Sequence, residues 1–199
     1  MKNKISTDFD HVFYIHGFNS SLNSKSFVYL KNELLEPISG IEHTSRAIDS
    51  YNLISKYLKN VSDIKSTHSL FIGSSLGGFW ANYFAAVYKQ PAILINPSFK
   101  PSVTLSKYQG ENVHGKIWTK DDTLEYTKFE DSKVANIPRL ILIGKKDEVV
   151  DHSKTINTYK DIASIRILEN EGHQILNHSI LLKCIQEIDA NSISWGIGD

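Results

Sequence analysis

Ile72-Gly73-Ser74-Ser75-Leu76-Gly77-Gly78 stands between a short apolar run, Leu70-Phe71-Ile72, and a stretch with helical periodicity over about 76–88. It reads as Gly-x-Ser-x-Gly centred on Ser75. A sharp strand-to-helix turn that forces one side chain into strained geometry needs small residues two before and two after it, and Gly73 and Gly77 supply them. Gly78 has no side chain to hold the helix away from the sheet. The helix N-terminus that follows Ser75 carries partial positive charge where an oxyanion would develop. Ser74 lacks the flanking glycines in register, so Ser75 is the candidate nucleophile. The alternative for the same seven residues is a tight Gly/Ser turn with no chemistry.

Outward from this turn, short continuous apolar runs alternate with helical stretches. Val12-Phe13-Tyr14-Ile15, Leu70-Phe71-Ile72, Ala92-Ile93-Leu94-Ile95, Leu140-Ile141-Leu142-Ile143 and, more weakly, Ile165-Arg166-Ile167-Leu168 read as strands buried on both faces. Helices are expected at about 26–35, 49–61, 76–88, 153–160 and 177–189. In the last of these Ile180, Leu181, Cys184, Ile185 and Ile188 form one stripe at three- and four-residue spacing. The alternation predicts an α/β fold in one domain, a three-layer sandwich with a mostly parallel sheet and helices on both faces. From about Pro97 to Ile137 the rhythm fails. An interval of roughly forty residues is too long for an ordinary connection, so a small cap or lid insertion is expected there. Its Trp118, Tyr126 and Phe129 either roof an acyl pocket or form a satellite core.

A serine at its free pKa needs a base, and the base needs an orienting acid. After Leu140–Ile143 comes Gly144-Lys145-Lys146-Asp147-Glu148-Val149-Val150-Asp151, and after Ile165–Leu168 comes Glu169-Asn170-Glu171-Gly172-His173. Both are strand-end loops. The order Ser75, Asp147, His173 is that of the α/β-hydrolase triad. Asp147 is preferred as the acid because it comes first after its strand, whereas Asp151 could instead cap the helix beginning near Ser153. The early loop His16-Gly17-Phe18-Asn19 follows the first strand and is the expected source of a second oxyanion donor. The backbone N–H groups of Phe18 and Leu76 form the candidate pair, with His16, Gly17 and Trp118 as candidate substrate contacts; the alternative is that Gly17 merely makes a turn and His16 is a buried, satisfied histidine. His11, His43, His68, His114, His152 and His178 read as surface or capping residues.

The composition narrows the function classes. In 199 residues, 22 Lys+Arg balance 22 Asp+Glu, so no broad positive field holds phosphates or anionic lipid, and nucleic acid and membrane are not expected partners. With 41% hydrophobic residues, including 9 Phe, 9 Tyr and 3 Trp, the chain can bury a core and is not disordered. One cysteine makes no internal disulfide, and no apolar run follows Met1-Lys2-Asn3-Lys4. A cytoplasmic setting is therefore expected. Gly110-Glu111-Asn112-Val113-His114-Gly115-Lys116 has phosphate-loop spacing, but Ile117 stands where Ser or Thr is required and no strand precedes it. There is no His-Glu-x-x-His and no thiolate cluster, so neither a metal nor any other cofactor is called for. The tail Trp195-Gly196-Ile197-Gly198-Asp199 reads as an appendage.

Tyr14-Ile15-His16-Gly17-Phe18-Asn19-Ser20-Ser21, Gly73-Ser74-Ser75-Leu76-Gly77-Gly78, Asn96-Pro97-Ser98, Asp147-Glu148-Val149-Val150-Asp151 and Gly172-His173 together resemble the YqiA-like family of small bacterial α/β-hydrolases. The resemblance spans about residues 12–185. It implies a serine esterase acting on small, short-acyl esters, with Ser75 as nucleophile, Asp147 as acid and His173 as base. The family reads Gly-Asp-Glu at the acidic loop, whereas here Lys145-Lys146 precede Asp147. Two other readings use the same residues: an acyl thioesterase or acyl-protein hydrolase, and a non-catalytic binding protein on a hydrolase scaffold.

Overall fold

The structure, a computed structural model, describes residues 4–61, 64–130 and 136–192. The tail from Trp195 to Asp199 lies outside the described residues.

Six strands build the main sheet: β1 (His11–Ile15), β2 (Ile38–Ile41), β3 (Ser69–Ser74), β4 (Ala92–Ile95), β7 (Arg139–Lys146) and β8 (Ser164–Gly172). They lie in the order β2-β1-β3-β4-β7-β8, and every neighbouring pair is parallel. The order reverses at β1. The chain leaves β1 toward β2 at one edge, returns to β3 on the other side, and continues outward from there. Ligands of open parallel sheets bind at such a reversal, outside the carboxyl ends of the strands.

Alternate residues of the strands feed two separate cores, which is why the runs are continuously apolar. Phe13, Ile15, Phe71, Leu94, Ile141 and Ile143 face one side, where they meet α2 (Ala47–Lys59), α3 (Leu76–Tyr88) and α7 (Ser153–Tyr159). Val12, Tyr14, Leu70, Ile72, Ile95 and Leu142 face the other, against α1 (Lys25–Glu33) and α8 (Ser179–Ser192). Leu181, Cys184, Ile185 and Ile188 of the expected stripe are buried on that second face. Burial pushes the Cys184 thiol up to about 11, so it packs as a small apolar side chain.

The strands and helices expected from the sequence all form, with two corrections. The edge strand β2 was not anticipated. β8 runs on through Gly172, past the expected end at Leu168, because the polar Glu169-Asn170-Glu171 continues an edge strand beside β7. The interval between β4 and β7 is built of short pieces: α4 (Pro101–Thr104), a 3-10 turn (Ser106–Tyr108), a hairpin of β5 (Asn112–Val113) and β6 (Lys116–Ile117), α5 (Lys120–Leu124) and α6 (Thr127–Glu130). The stretch with phosphate-loop spacing is this hairpin, turning through His114 and Gly115, both at positive φ.

This insertion is docked on the α2/α3 face. Tyr126 is fully buried against Phe79 and Trp80, and its hydroxyl donates to the Ser45 carbonyl at 2.7 Å. Asp122 accepts from Arg46, and Glu125 accepts from the Ile48 N–H at 3.1 Å, placing two carboxylates at the positive end of α2. Trp118, Tyr126 and Phe129 therefore belong to the main core on this face of the sheet.

Candidate active site

Ser75 occupies the turn between β3 and α3 with φ 55° and ψ −118°, a conformation that L-residues rarely hold without support. The support is close packing of backbone. A side chain at Gly73 would collide with the Gly77 carbonyl, and one at Gly77 would collide with the carbonyls of Ile15 and His16 at the end of β1. The Ser75 N–H donates to the Ile95 carbonyl at 2.8 Å, and the Ser75 carbonyl accepts from Ser98 N–H at 3.1 Å, tying the turn to β4 and the segment after it. Gly78 faces Pro97, where even a methyl group would be tight. The glycines at 73 and 77 are thus required by contact, as the spacing of the motif predicts, and Gly78 keeps α3 close to Pro97.

The Ser75 hydroxyl lies 3.1 Å from Nε2 of His173, in the loop after β8. Nδ1 of His173 lies 3.0 and 2.9 Å from the two oxygens of Asp147, in the loop after β7. Three residues far apart in sequence thus meet in one hydrogen-bonded line. Asp151 is elsewhere: its carboxylate accepts from the Ser153 N–H at 2.9 Å at the start of α7, the capping role weighed for it above.

Asp147 is held from several sides. Its Oδ1 accepts from the N–H groups of Val149 and Val150 at 2.8 and 3.0 Å, and its Oδ2 lies 2.8 Å from Nε2 of His152. Burial pushes the carboxyl up, but the hydrogen bonds from His152, His173, Val150 and Val149 outweigh it and hold the group well below the usual carboxylate range. It is an anion at neutral pH, fit to orient an imidazole and to stabilise its cation.

His152 corrects the sequence reading, which assigned it surface or capping duty. It is buried, makes no side-chain cap on α7, and sits on the carboxylate of Asp147. Its only sequence signal was its place five residues after an acid. His43 is a second correction. It is buried, stacks on His16 at 4.2 Å, and its Nε2 lies 2.8 Å from the His16 carbonyl. Burial, reinforced by repulsion from His16, pushes the His43 imidazole down to about 4.

His16 itself is 2% exposed, with its ring nitrogens 2.9 Å from the Gly17 carbonyl and 3.0 Å from Glu42. Its side chain braces the loop from beneath and is not open to a substrate. Gly17 lies against the turn: a Cβ there would be 3.4 Å from that of Ser75. The ring of Phe18 packs against Tyr108 at 4.8 Å and edge-on to Trp118 at 5.2 Å. Trp118 is 2% exposed and donates its indole N–H to Thr123 at 2.9 Å, so it fixes Phe18 and contributes buried packing in place of the expected substrate contact. The backbone N–H groups of Phe18 and Leu76 make no hydrogen bond to the described residues; the first stands on the loop after β1 and the second at the start of α3, next to Ser75. Among the described residues no group of three His, Cys, Asp or Glu is arranged to hold a metal ion. No helix among them is long and apolar enough to cross a membrane.

A parallel sheet with a strained serine at the strand reversal, and a histidine and an acid on later strand-end loops, is the arrangement of the α/β-hydrolase fold, and solved structures share that fold. Est1E from Butyrivibrio proteoclasticus with ferulic acid bound aligns with a TM-score of 0.64 at 15% identity, over 94% of this chain and 91% of that one. Mouse alpha/beta hydrolase domain-containing protein 10 gives 0.66 at 16%, over 96% and 93%. An esterase from Exiguobacterium antarcticum gives 0.59 at 15%, over 90% and 93%. The chain belongs to UPF0227, described as an uncharacterised protein family, which matches residues 11–189. A UPF0227 protein of Serratia proteamaculans is 26% identical over 88% of this chain and 96% of its own length. The UPF0227 protein YcfP of Salmonella gallinarum is 23% identical over the same shares.

Proposed function

We propose that this protein is a serine hydrolase that cleaves small carboxylic esters with short acyl groups through an acyl-enzyme intermediate. The observation that carries the reading is the unbroken line from Ser75 Oγ to His173 Nε2 at 3.1 Å and from His173 Nδ1 to Asp147 at 2.9 Å. His173 takes the Ser75 proton as Oγ attacks the ester carbonyl, and the Phe18 and Leu76 N–H groups receive the developing oxyanion. The imidazolium, stabilised by Asp147, returns the proton to the leaving alcohol. Water then attacks the acyl group by the same steps and regenerates Ser75. The Exiguobacterium antarcticum esterase among the structural neighbours favours the same chemistry.

The test is hydrolysis of p-nitrophenyl acetate and butyrate, together with labelling by a fluorophosphonate. Stoichiometric labelling is expected on Ser75 and is lost in Ser75→Ala, whose kcat/KM drops by about 10⁴-fold or more with the fold intact. Unchanged turnover in Ser75→Ala, or labelling at another residue, removes the assignment. No labelling and no turnover in the unaltered protein would favour a binding role for the scaffold.

A further inference from the structure

His152 is a buried imidazole that the mechanism above does not use. Its Nε2 lies 2.8 Å from Asp147 Oδ2, while its Nδ1 is buried and has no hydrogen-bond partner among the described residues. An ionised carboxylate has no proton to give, so the bond requires the proton on His152 Nε2. Among the described residues nothing else engages the ring's polar atoms, and the Ser153 N–H at the adjacent helix start donates to Asp151. An unpartnered buried nitrogen is costly, and a phenyl or alkyl side chain would fill the same space without it. The contact with Asp147 is therefore the polar function of this side chain.

Two imidazoles thus share one carboxylate. His152 reaches Oδ2 alone, and His173 Nδ1 bridges both oxygens. The charged and titratable groups around the pair include Asp151, whose carboxylate lies close enough to interact with His152, Lys154 beside Asp151, Glu148, whose Oε2 lies 3.5 Å from the His173 N–H, and Lys107, whose Nζ donates to the Val149 carbonyl on the Asp147 loop at 3.2 Å. We propose that His152 is a positioning residue for the candidate triad: it anchors Asp147 through Nε2–H···Oδ2 and takes a share of the carboxylate charge that would otherwise act on His173 alone. The catalytic part of this inference rests on the reading of Ser75, His173 and Asp147 as a hydrolase site. The hydrogen bond does not.

Two consequences separate this role from simple packing. Without the His152 donor the carboxylate pulls harder on the His173 N–H and strengthens that hydrogen bond. The carboxylate also loses one anchor, which loosens the His173 ring and lowers kcat with little change in KM for a small ester.

The experiment compares His152→Phe, which keeps the ring volume without a donor, with His152→Gln, whose amide N–H can replace Nε2–H. Proton spectra of histidine-¹⁵N-labelled protein are expected to show two downfield imidazole N–H resonances. One is lost in His152→Phe, and the other, from His173, moves further downfield. In ester hydrolysis kcat falls about tenfold with KM little changed. His152→Gln recovers most of the resonance position and of kcat. Should His152→Phe fail to fold, His152→Asn, too short to reach Oδ2, serves as the donorless variant. A His173 resonance unmoved in a folded donorless variant overturns the proposal whatever the activity. A moved resonance in a protein that hydrolyses no ester keeps the shared carboxylate and rejects the hydrolase reading. Equal loss of kcat in His152→Gln and His152→Phe rejects the positioning role.

Discussion

Asn96, at the end of β4, uses every polar group of its side chain. Its Nδ2 donates to the carbonyls of Gly172 and His173 at 2.9 and 2.8 Å, and its Oδ1 accepts from the Gly144 N–H at 2.7 Å. It is fully buried and holds φ 43°, a left-handed conformation that asparagine tolerates better than most residues. One side chain thus bridges the strand behind Ser75 to the backbone of His173 and to the strand that leads to Asp147. Asn96→Ala would leave one buried N–H and two partly buried carbonyls without this partner. The expected cost is about 3 kcal/mol of stability, measured by urea unfolding, with kcat for ester hydrolysis reduced more than KM because His173 loses its backbone restraint. Asn96→Asp keeps an acceptor for Gly144 but turns a carboxylate oxygen toward two carbonyls, and should be no more stable than the alanine variant. Equal stability of Asn96→Ala and the unaltered protein would show that the bridge carries no load. The sequence showed Asn96-Pro97-Ser98 only as a block of resemblance. The bridge itself was invisible because its partners lie 48 to 77 residues away.

Among the elements, legibility followed burial. β1, β3, β4 and β7 are buried between two helical layers, so their runs are uniformly apolar and readable. At the edge, β2 consists of Ile38-Ser39-Gly40-Ile41, with a glycine where a side chain would strike Leu22 and Phe27, and it has no periodic signature. The far end of β8 is polar for the same reason. Ser75, Asp147 and His173 were readable because each follows a strand in a fixed order. His152 and His43 were not, since what buries a histidine is packing from other elements. The insertion between β4 and β7 was visible only as an interruption, because helices of four or five residues are too short to show a stripe. Its attachment to α2 makes it part of the frame that holds Phe18. Tyr126→Phe removes the bond to the buried Ser45 carbonyl while keeping the ring, and should cost about 1–2 kcal/mol by thermal or urea unfolding. Trp118→Ala removes the edge contact on Phe18 as well as core volume. It should cost about 3–5 kcal/mol and also lower kcat, through the loop that carries the Phe18 N–H. Loss of stability without any loss of kcat would detach the insertion from the site.

At the scale of the whole molecule, the strand order places the ends of β1 and β3 side by side at the sheet's reversal, so the His16-Gly17-Phe18 loop and the Ser75 turn meet without any long connection. Beneath that junction lies the stacked pair of His16 and His43, with Glu42 at its rim, and it links the stability of the fold to pH. The His43 imidazole is pushed down to about 4 in the folded chain, chiefly by burial and then by His16 and His114, against an ordinary value of 6.5. Between these values the unfolded chain binds a proton that the folded chain excludes. The contribution is therefore complete above about pH 6.5 and is lost progressively as the pH falls toward 4, amounting to about 3 kcal/mol across the window. Asp147, whose carboxyl is depressed from 3.8, acts only below this range, so the two do not overlap. Urea unfolding between about pH 7.5 and pH 4.5 should show stability falling by that amount. His43→Gln, which keeps a donor for the His16 carbonyl but does not titrate, should flatten the slope while starting from a lower stability at neutral pH. A slope equal in both proteins would place the acid sensitivity elsewhere in the molecule.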